Sequence, residues 1–210
     1  MLTELTLAGF AAELATDSPA PGGGSVAAAA GGMAAGLLAM VCRLSLGRAG
    51  LEDRQAGLEE AHARAEELRA QLMAAVDRDT DAYLDVVAAY RLPKETDDEK
   101  TARSAQIQVA IRTAADVPLA TAESCLDVLR TVERVSAGFN SAAASDLGVA
   151  AQMAAAGVAG GVLNVQINVP SLKDEAARDA LLGRAAAITT ETAGIMERVW
   201  PAVQELVRGG

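Results

Sequence analysis

Four aspartates fall within ten residues, VDRDTDAYLD, at Asp77, Asp79, Asp81 and Asp85. Carboxylates grouped on a helix can hold and move protons or stabilise a cation. They do not share one face. Asp77, Asp81 and Asp85 recur every four residues and read as a solvated edge, whereas Asp79 is turned about 160° from Asp77. Asp79 instead continues an apolar stripe that runs Leu58, Ala61, Ala65, Leu68, Leu72, Val76, Asp79, Tyr83, Val86, Tyr90. A carboxylate on that stripe loses water and needs hydrogen-bonded partners or a function. Two readings stand: a buried carboxylate that caps or bridges a neighbouring helix, and a proton-transferring group.

A second candidate is PAPGGGSVAA, Pro19 to Ala28. Its glycines either let the backbone approach a ligand closely or make a tight entry into a buried helix. Ser25 is placed to cap that helix, and a helix start of this kind also favours an anion or a polar ligand atom. The stretch is not a nucleotide fingerprint. No strand-like run precedes it, the Lys-Ser/Thr pair of a phosphate loop is missing, and Gly22, Gly23 and Gly24 do not fit GxGxxG. A third set, Ser145-Asp146 with Asn164 and Asn168, lies in a long apolar segment. Asp146 and Asn164 are 18 residues apart, five turns of helix and about 27 Å along it. One chain does not bring both to a small ligand, but antiparallel helices from two subunits would. Helix-end capping accounts for either end singly.

His62, in EEAHARAEEL, reads as a surface or structural histidine. Met33, Met40 and Met153 read as core fillers, and Cys42 and Cys125 as small buried thiols. No Ser-His-Asp or Cys-His triad and no zinc-like set is present.

The elements that position these residues are helical. Of the 210 residues 51% are hydrophobic but only 2% aromatic, so alanine carries the apolar count and lets helices approach closely. The spacing predicts an all-α chain forming one domain over residues 1–210, with long Ala/Gly-rich central helices. Its helices run from about Leu5 to Ala15, from the glycine loop to about Leu46, and from about Glu52 to Tyr90. The next is opened by a capping box at Thr96–Glu99, carries a kink or boundary at Pro118 and ends near Ser136. The last two cover Ala142 to Asn168 and about Asp174 to Val207, the latter bent at Pro201. Val26 to Cys42 is 17 uncharged residues, slightly short and Gly-rich for a membrane span, and reads as a buried or interface helix. The net charge of −10 argues against nucleic acid and anionic membranes as partners. The start lacks the basic region of a signal peptide, which places the chain in the cytoplasm.

PAPGGGSVAA, MVCRLSLGR, VDRDTDAY, YRLPKETDDEK, ADVPLA, SDLGVAA and LNVQIN occur in the order found in the cyclodeaminase/cyclohydrolase family, which this chain resembles from about Leu5 to Val207. The resemblance implies a multihelical homodimer that acts on a folate with no metal and no cofactor beyond tetrahydrofolate. It implies catalytic roles for Asp79 and Asp77. It also favours Pro21, Gly22, Gly23, Gly24 and Ser25 as a ligand loop, with Tyr83, Asn140, Asp146, Asn164 and Asn168 as further substrate contacts. Lys94, in the loop after the aspartates, binds a glutamate carboxylate or orients Asp79 on one reading and is an ordinary surface lysine on the other.

Three positions depart from the family pattern: Arg48-Ala49-Gly50-Leu51 lacks the usual basic and aromatic residues, Phe139-Asn140-Ser141-Ala142 replaces Gly-Asn-x-Asn, and Arg43 replaces a neutral polar residue. The expected chemistry is at N5 and N10 of tetrahydrofolate, either addition of water to a methenyl bridge or loss of ammonia from a formimino group. The rivals are a divergent enzyme acting on another amidine-like substrate and a non-catalytic folate-binding helical dimer.

Overall fold

Six α-helices carry the chain: α1 (Leu7–Leu14), α2 (Gly23–Ser45), α3 (Gln55–Tyr90), α4 (Asp97–Ser136), α5 (Ala144–Asn168) and α6 (Glu175–Gly209). The structure is a computed structural model and describes residues 1–209. Short 3-10 turns at Leu2–Glu4, Glu52–Arg54, Ser141–Ala143 and Val169–Ser171 join or precede them, and no strand occurs among the described residues.

Helices α2, α3, α4 and α5 pack in a ring, each antiparallel to its two neighbours, with α2 and α4 meeting across it and α6 docked on α4 and α5. This is the up-down arrangement that short connections impose. One core joins all five long helices and is built from Ala34, Leu38, Leu68, Leu119, Leu147 and Leu181 among others. Small residues set the spacing between α2 and α5. A Cβ on Gly157 would stand 2.6 Å from the Cys125 sulfur and 3.0 Å from the Ala27 carbonyl, and one on Gly160 would stand 2.8 Å from the Ala27 Cβ. The buried thiol of Cys125 thus fills the seam between the two central helices, and burial pushes it up to about 12. Cys42, also buried and free, is pushed up to about 11 for the same reason. Both behave as inert core groups.

Helix boundaries follow local chemistry. The Thr96 hydroxyl accepts from Glu99 N–H while the Glu99 carboxylate accepts from Thr96 N–H at 2.9 Å, the expected capping box. The α2–α3 connection turns on Gly47 and Gly50, with φ of +70° and +84°. At Pro118 the sequence left a kink or a boundary open; the structure runs helix continuously through it. Proline lacks the N–H that would serve the carbonyl four residues earlier. That carbonyl, on Ala114, accepts instead from the Asn168 side-chain amide of α5 at 2.9 Å. Charged pairs fasten the outer helices to α4, including Arg64–Asp127 at 2.7 Å from α3 and Arg130–Glu191 at 2.6 Å from α6.

Two expectations need correction. Met33 and Met40 do not fill the core; both are exposed, on the outward side of α2 with Val26 and Leu44. The stripe of α3 is buried from Leu58 to Val76, but Tyr83 and Tyr90 are exposed and Ala82 and Ala89 take their places. A straight helix of 3.6 residues per turn drifts away from a strict repeat over 36 residues, so the buried face rotates before the helix ends. The second central helix is also uncovered along one face: Val149, Leu163 and Ile167 of α5 are exposed, Ile167 at 75%. Gly23–Ser45 and the segment 141–171 are each long and apolar enough to cross a membrane. Here they pack on one another in the core.

Candidate active site

Helix α2 begins at Gly23 and its cap residue is Gly22, which offers no side chain to the free N–H groups of the first turn. The carboxylate that faces this turn comes from α3. Asp79 Oδ2 lies 3.1 Å from the Ser25 hydroxyl, and the same hydroxyl lies 2.9 Å from the Val76 carbonyl and 3.3 Å from the Thr80 hydroxyl. Ser25 is completely buried, while Asp79 and Thr80 are half-buried. Ser25 is therefore not the cap anticipated from sequence. It sits within the first turn of α2, three residues past the cap, beneath the carboxylate.

The glycine loop is explained in part by this contact. A Cβ on Gly24 would fall 2.5 Å from the Asp79 carboxyl carbon and 2.7 Å from Oδ2, so the position is open only to glycine while Asp79 is there. A Cβ on Gly23 would stand 3.3 Å from the Asn164 amide nitrogen, and Gly23 is itself exposed. Gly22 meets nothing closer than the Pro19 carbonyl at 3.6 Å, and Pro21 is buried beside it. The loop thus brings α3, through Asp79, and α5, through Asn164, to the start of α2.

Burial raises the Asp79 pKa above its ordinary 3.8, against the pull of the Ser25 hydroxyl and backbone N–H, which favour the ionised form. A half-buried carboxylic acid of this kind holds its proton to higher pH than a surface aspartate, a requirement for acid–base work near neutrality.

The other sequence-selected residues separate into those near this point and those far from it. Tyr83 is one turn beyond Asp79 on α3 and exposed. Asn164 donates to the Gly160 carbonyl at 2.8 Å and leaves its side-chain oxygen free of any hydrogen bond among the described residues. Asn168, one turn further, spends its amide nitrogen on the carbonyls of Ala114 and Asn164, both at 2.9 Å. Asp77 points elsewhere. It accepts from Leu2 N–H at 2.6 Å and from the Thr3 hydroxyl at 3.0 Å, and so pins the N-terminal turn to α3. This also corrects its assignment to a solvated edge, which Asp81 and Asp85 do form. Lys94 is exposed, 15 residues along the chain from Asp79, and is not among the groups that act on that carboxylate, so it does not orient it.

Asn140 and Asp146 lie at the opposite end of the α2–α5 pair. Asn140 N–H donates to the Ser45 hydroxyl at 2.9 Å and its side chain donates to the Leu44 carbonyl at 3.2 Å, tying the α4–α5 connection to the end of α2. Asp146 stands in the first turn of α5. Within one chain neither meets Asp79. His62 accepts from Arg43 Nε at 2.8 Å, the structural role expected of it. No group of three or more His, Cys, Asp or Glu side chains is placed to hold a metal ion among the described residues. Sequence reasoning missed Thr80, whose hydroxyl reaches Ser25; its only signal was its place beside Asp79.

Comparison with known proteins places this geometry in context. A family described as formiminotransferase-cyclodeaminase matches residues 6–187. A methenyltetrahydrofolate cyclohydrolase of Methylorubrum extorquens is 38% identical over 96% of this chain and 97% of its own length. The formimidoyltransferase-cyclodeaminase of Mus musculus is 32% identical over 90% of this chain, which spans only 35% of that protein. A crystal structure of formiminotetrahydrofolate cyclodeaminase from Thermotoga maritima superposes with a TM-score of 0.88 at 28% identity, over 99% of this chain and all of that one.

Proposed function

The chain belongs to the formiminotransferase-cyclodeaminase family and is a folate one-carbon enzyme; within that family we propose that it is a methenyltetrahydrofolate cyclohydrolase with Asp79 as its acid–base group. The end-to-end match to a cyclohydrolase supports this reading of the activity. The observation that carries the site is the half-buried Asp79 carboxylate, held at the start of α2 with its pKa raised.

The substrate's methenyl carbon bridges N5 and N10 as a cationic amidinium. Ionised Asp79 stabilises that cation and takes a proton from the water that adds to the carbon, giving a neutral tetrahedral carbinolamine. The bond from carbon to N5 then breaks with its electron pair passing to nitrogen. Asp79 returns the proton to N5, and the hydroxyl proton leaves to solvent as the N10-formyl carbonyl forms. One water is consumed and one proton released overall, and Asp79 ends ionised. Tyr83, Asn164 and the exposed edge of the glycine loop surround the place where the ring system would lie. Asp77 and Lys94 take no part in this scheme.

A second reading, formiminotetrahydrofolate cyclodeaminase, is favoured by the full-length structural match. There N10 attacks the formimino carbon, Asp79 takes the proton that N10 loses and delivers it to the departing nitrogen, and the C–N bond breaks to release ammonia and leave the methenyl bridge. Side-by-side spectroscopic assays on purified protein decide between them: turnover of methenyl- but not formimino-tetrahydrofolate is expected, and the reverse overturns the proposal.

The working unit in this reading is a homodimer in the cytoplasm. Val26, Met33, Met40 and Leu44 of α2 and Val149, Leu163 and Ile167 of α5 form an uncharged exposed face. A second copy related by a two-fold axis covers such a face with itself. With that axis perpendicular to α5, the helix lies antiparallel to its mate and the Asp146 end of one chain approaches the Asn164 end of the other, which brings together groups that one chain keeps about 27 Å apart.

A further inference from the structure

Ser25 has no exposed surface and its hydroxyl reaches three oxygens, each able to exchange a hydrogen bond with it. A hydroxyl has one proton to give and two lone pairs to receive with. With Asp79 ionised, Ser25 gives its proton to Oδ2 at 3.1 Å and receives from Thr80 at 3.3 Å. The Val76 carbonyl can release Ser25 because it remains inside the α3 hydrogen-bond ladder. With Asp79 protonated, the carboxyl O–H donates to Ser25, and Ser25 turns its own proton to the Val76 carbonyl at 2.9 Å. Every oxygen has a partner in both states, and the change between them needs only rotation about the Ser25 Cβ–Oγ bond.

From this geometry we infer that Ser25 is a positioning residue which turns its hydroxyl with each protonation change of Asp79, and that Thr80 supports it. Ser25 lies beneath the carboxylate and does not itself touch substrate; this replaces the ligand contact expected from sequence. An unpaired buried oxygen costs enough to bias a carboxyl toward one state. A partner that serves both states leaves Asp79 free to take a proton and return it within one turnover. Among the described residues no other titratable group faces the hydroxyl: α2 brings none, α5 brings the neutral Asn164 nearby, and on α3 Asp77 is held away by Leu2 and Thr3.

The inference rests on Asp79 being the acid–base group, so the experiment separates the two. Background-subtracted kcat and KM are measured across pH for the wild type and for Asp79→Asn, Ser25→Ala and Thr80→Val, with methenyltetrahydrofolate as substrate. Removing the Ser25 hydroxyl takes away a donor that favours the ionised carboxylate. The acid limb of the Ser25→Ala profile is therefore expected to move to higher pH. Its kcat is expected to fall at least about tenfold with KM little changed, since only an interaction renewed during the reaction is lost. Thr80→Val should move the limb the same way by less, and it carries the test if Ser25→Ala does not fold. A limb that persists in Asp79→Asn would show that another group does the chemistry, and both ideas would fall. A limb lost in Asp79→Asn but unmoved in both hydroxyl variants would leave Asp79 in place and overturn the role of Ser25.

Discussion

Gly24 and Asp79 compete for the same space: a Cβ on the glycine would lie 2.5 Å from the carboxyl carbon of the aspartate. The two residues are 55 positions apart in the chain and belong to different helices. The pairing sets what each position tolerates. Gly24→Ala is expected to force Asp79 off the start of α2, costing about 1–3 kcal/mol in stability and most of the activity. Gly23→Ala, whose Cβ meets only the Asn164 amide at 3.3 Å, should cost much less of both. Chemical denaturation and turnover of the two variants check this, and equal behaviour would contradict the packing argument.

Asp79→Asn should lower kcat by roughly two orders of magnitude or more, the usual scale for loss of an acid–base group. Asparagine keeps the size but loses the charge and the exchangeable proton. Asp81→Asn, on the exposed side of α3, is the control and should leave the rate near wild type. If the Asp79 variant lost affinity but kept its maximal rate, the carboxylate would serve binding alone.

The same substitution has a signature in stability. The folded-state pKa of Asp79 is raised above 3.8 by burial, so the unfolded chain ionises first as pH rises. Ionisation therefore favours unfolding, and this contribution erodes stability from the ordinary value upward until the folded group has also ionised. The stability of Asp79→Asn relative to wild type should accordingly rise as pH increases above the ordinary aspartate value. Urea midpoints of both proteins over that range test the sign; a relative fall would mean that the Ser25 hydrogen bonds outweigh desolvation.

Asn168 and Pro118 offer a double-mutant cycle. Asn168→Ala leaves the Ala114 carbonyl without the donor that replaces the missing proline N–H, a loss of about 1–3 kcal/mol. Pro118→Ala restores a helical donor to the same carbonyl. In that background Asn168→Ala should cost distinctly less, a coupling that denaturation can measure. Additive effects would give Asn168 no role in mending α4.

Leu163→Asp places a charge on the outward face of α5, where the side chain is 64% exposed. If the proposed two-fold packing holds, it should leave the fold of the single chain intact and convert the wild-type dimer into a monomer in light scattering at micromolar concentration. A variant that remains dimeric would move the interface elsewhere.

Much of the fold was legible from residue types and spacing. Alanine richness with three-and-four periodicity marks helices, the Thr96 capping box marks where one starts, and Gly47, Gly50 and Pro170 mark where others stop, because those signals act through the backbone within a turn of themselves. The same local logic singled out Asp79 as the one aspartate facing inward. Local logic could not say what Asp79 faces. Whether the glycines served a ligand or a helix entry depended on which carboxylate from α3 came to lie on Gly24, a matter of how two helices pack. For the same reason spacing put Asp77 on a solvated edge, and only the packed structure showed the N-terminal turn occupying it. Ser25 looked like a cap until burial beneath Asp79 gave its hydroxyl other partners, and Met33 and Met40 looked like core until α2 left one face uncovered. Periodicity measures angles about a single axis; which side of that axis meets a neighbour, and which meets solvent, is decided only when all the helices pack together.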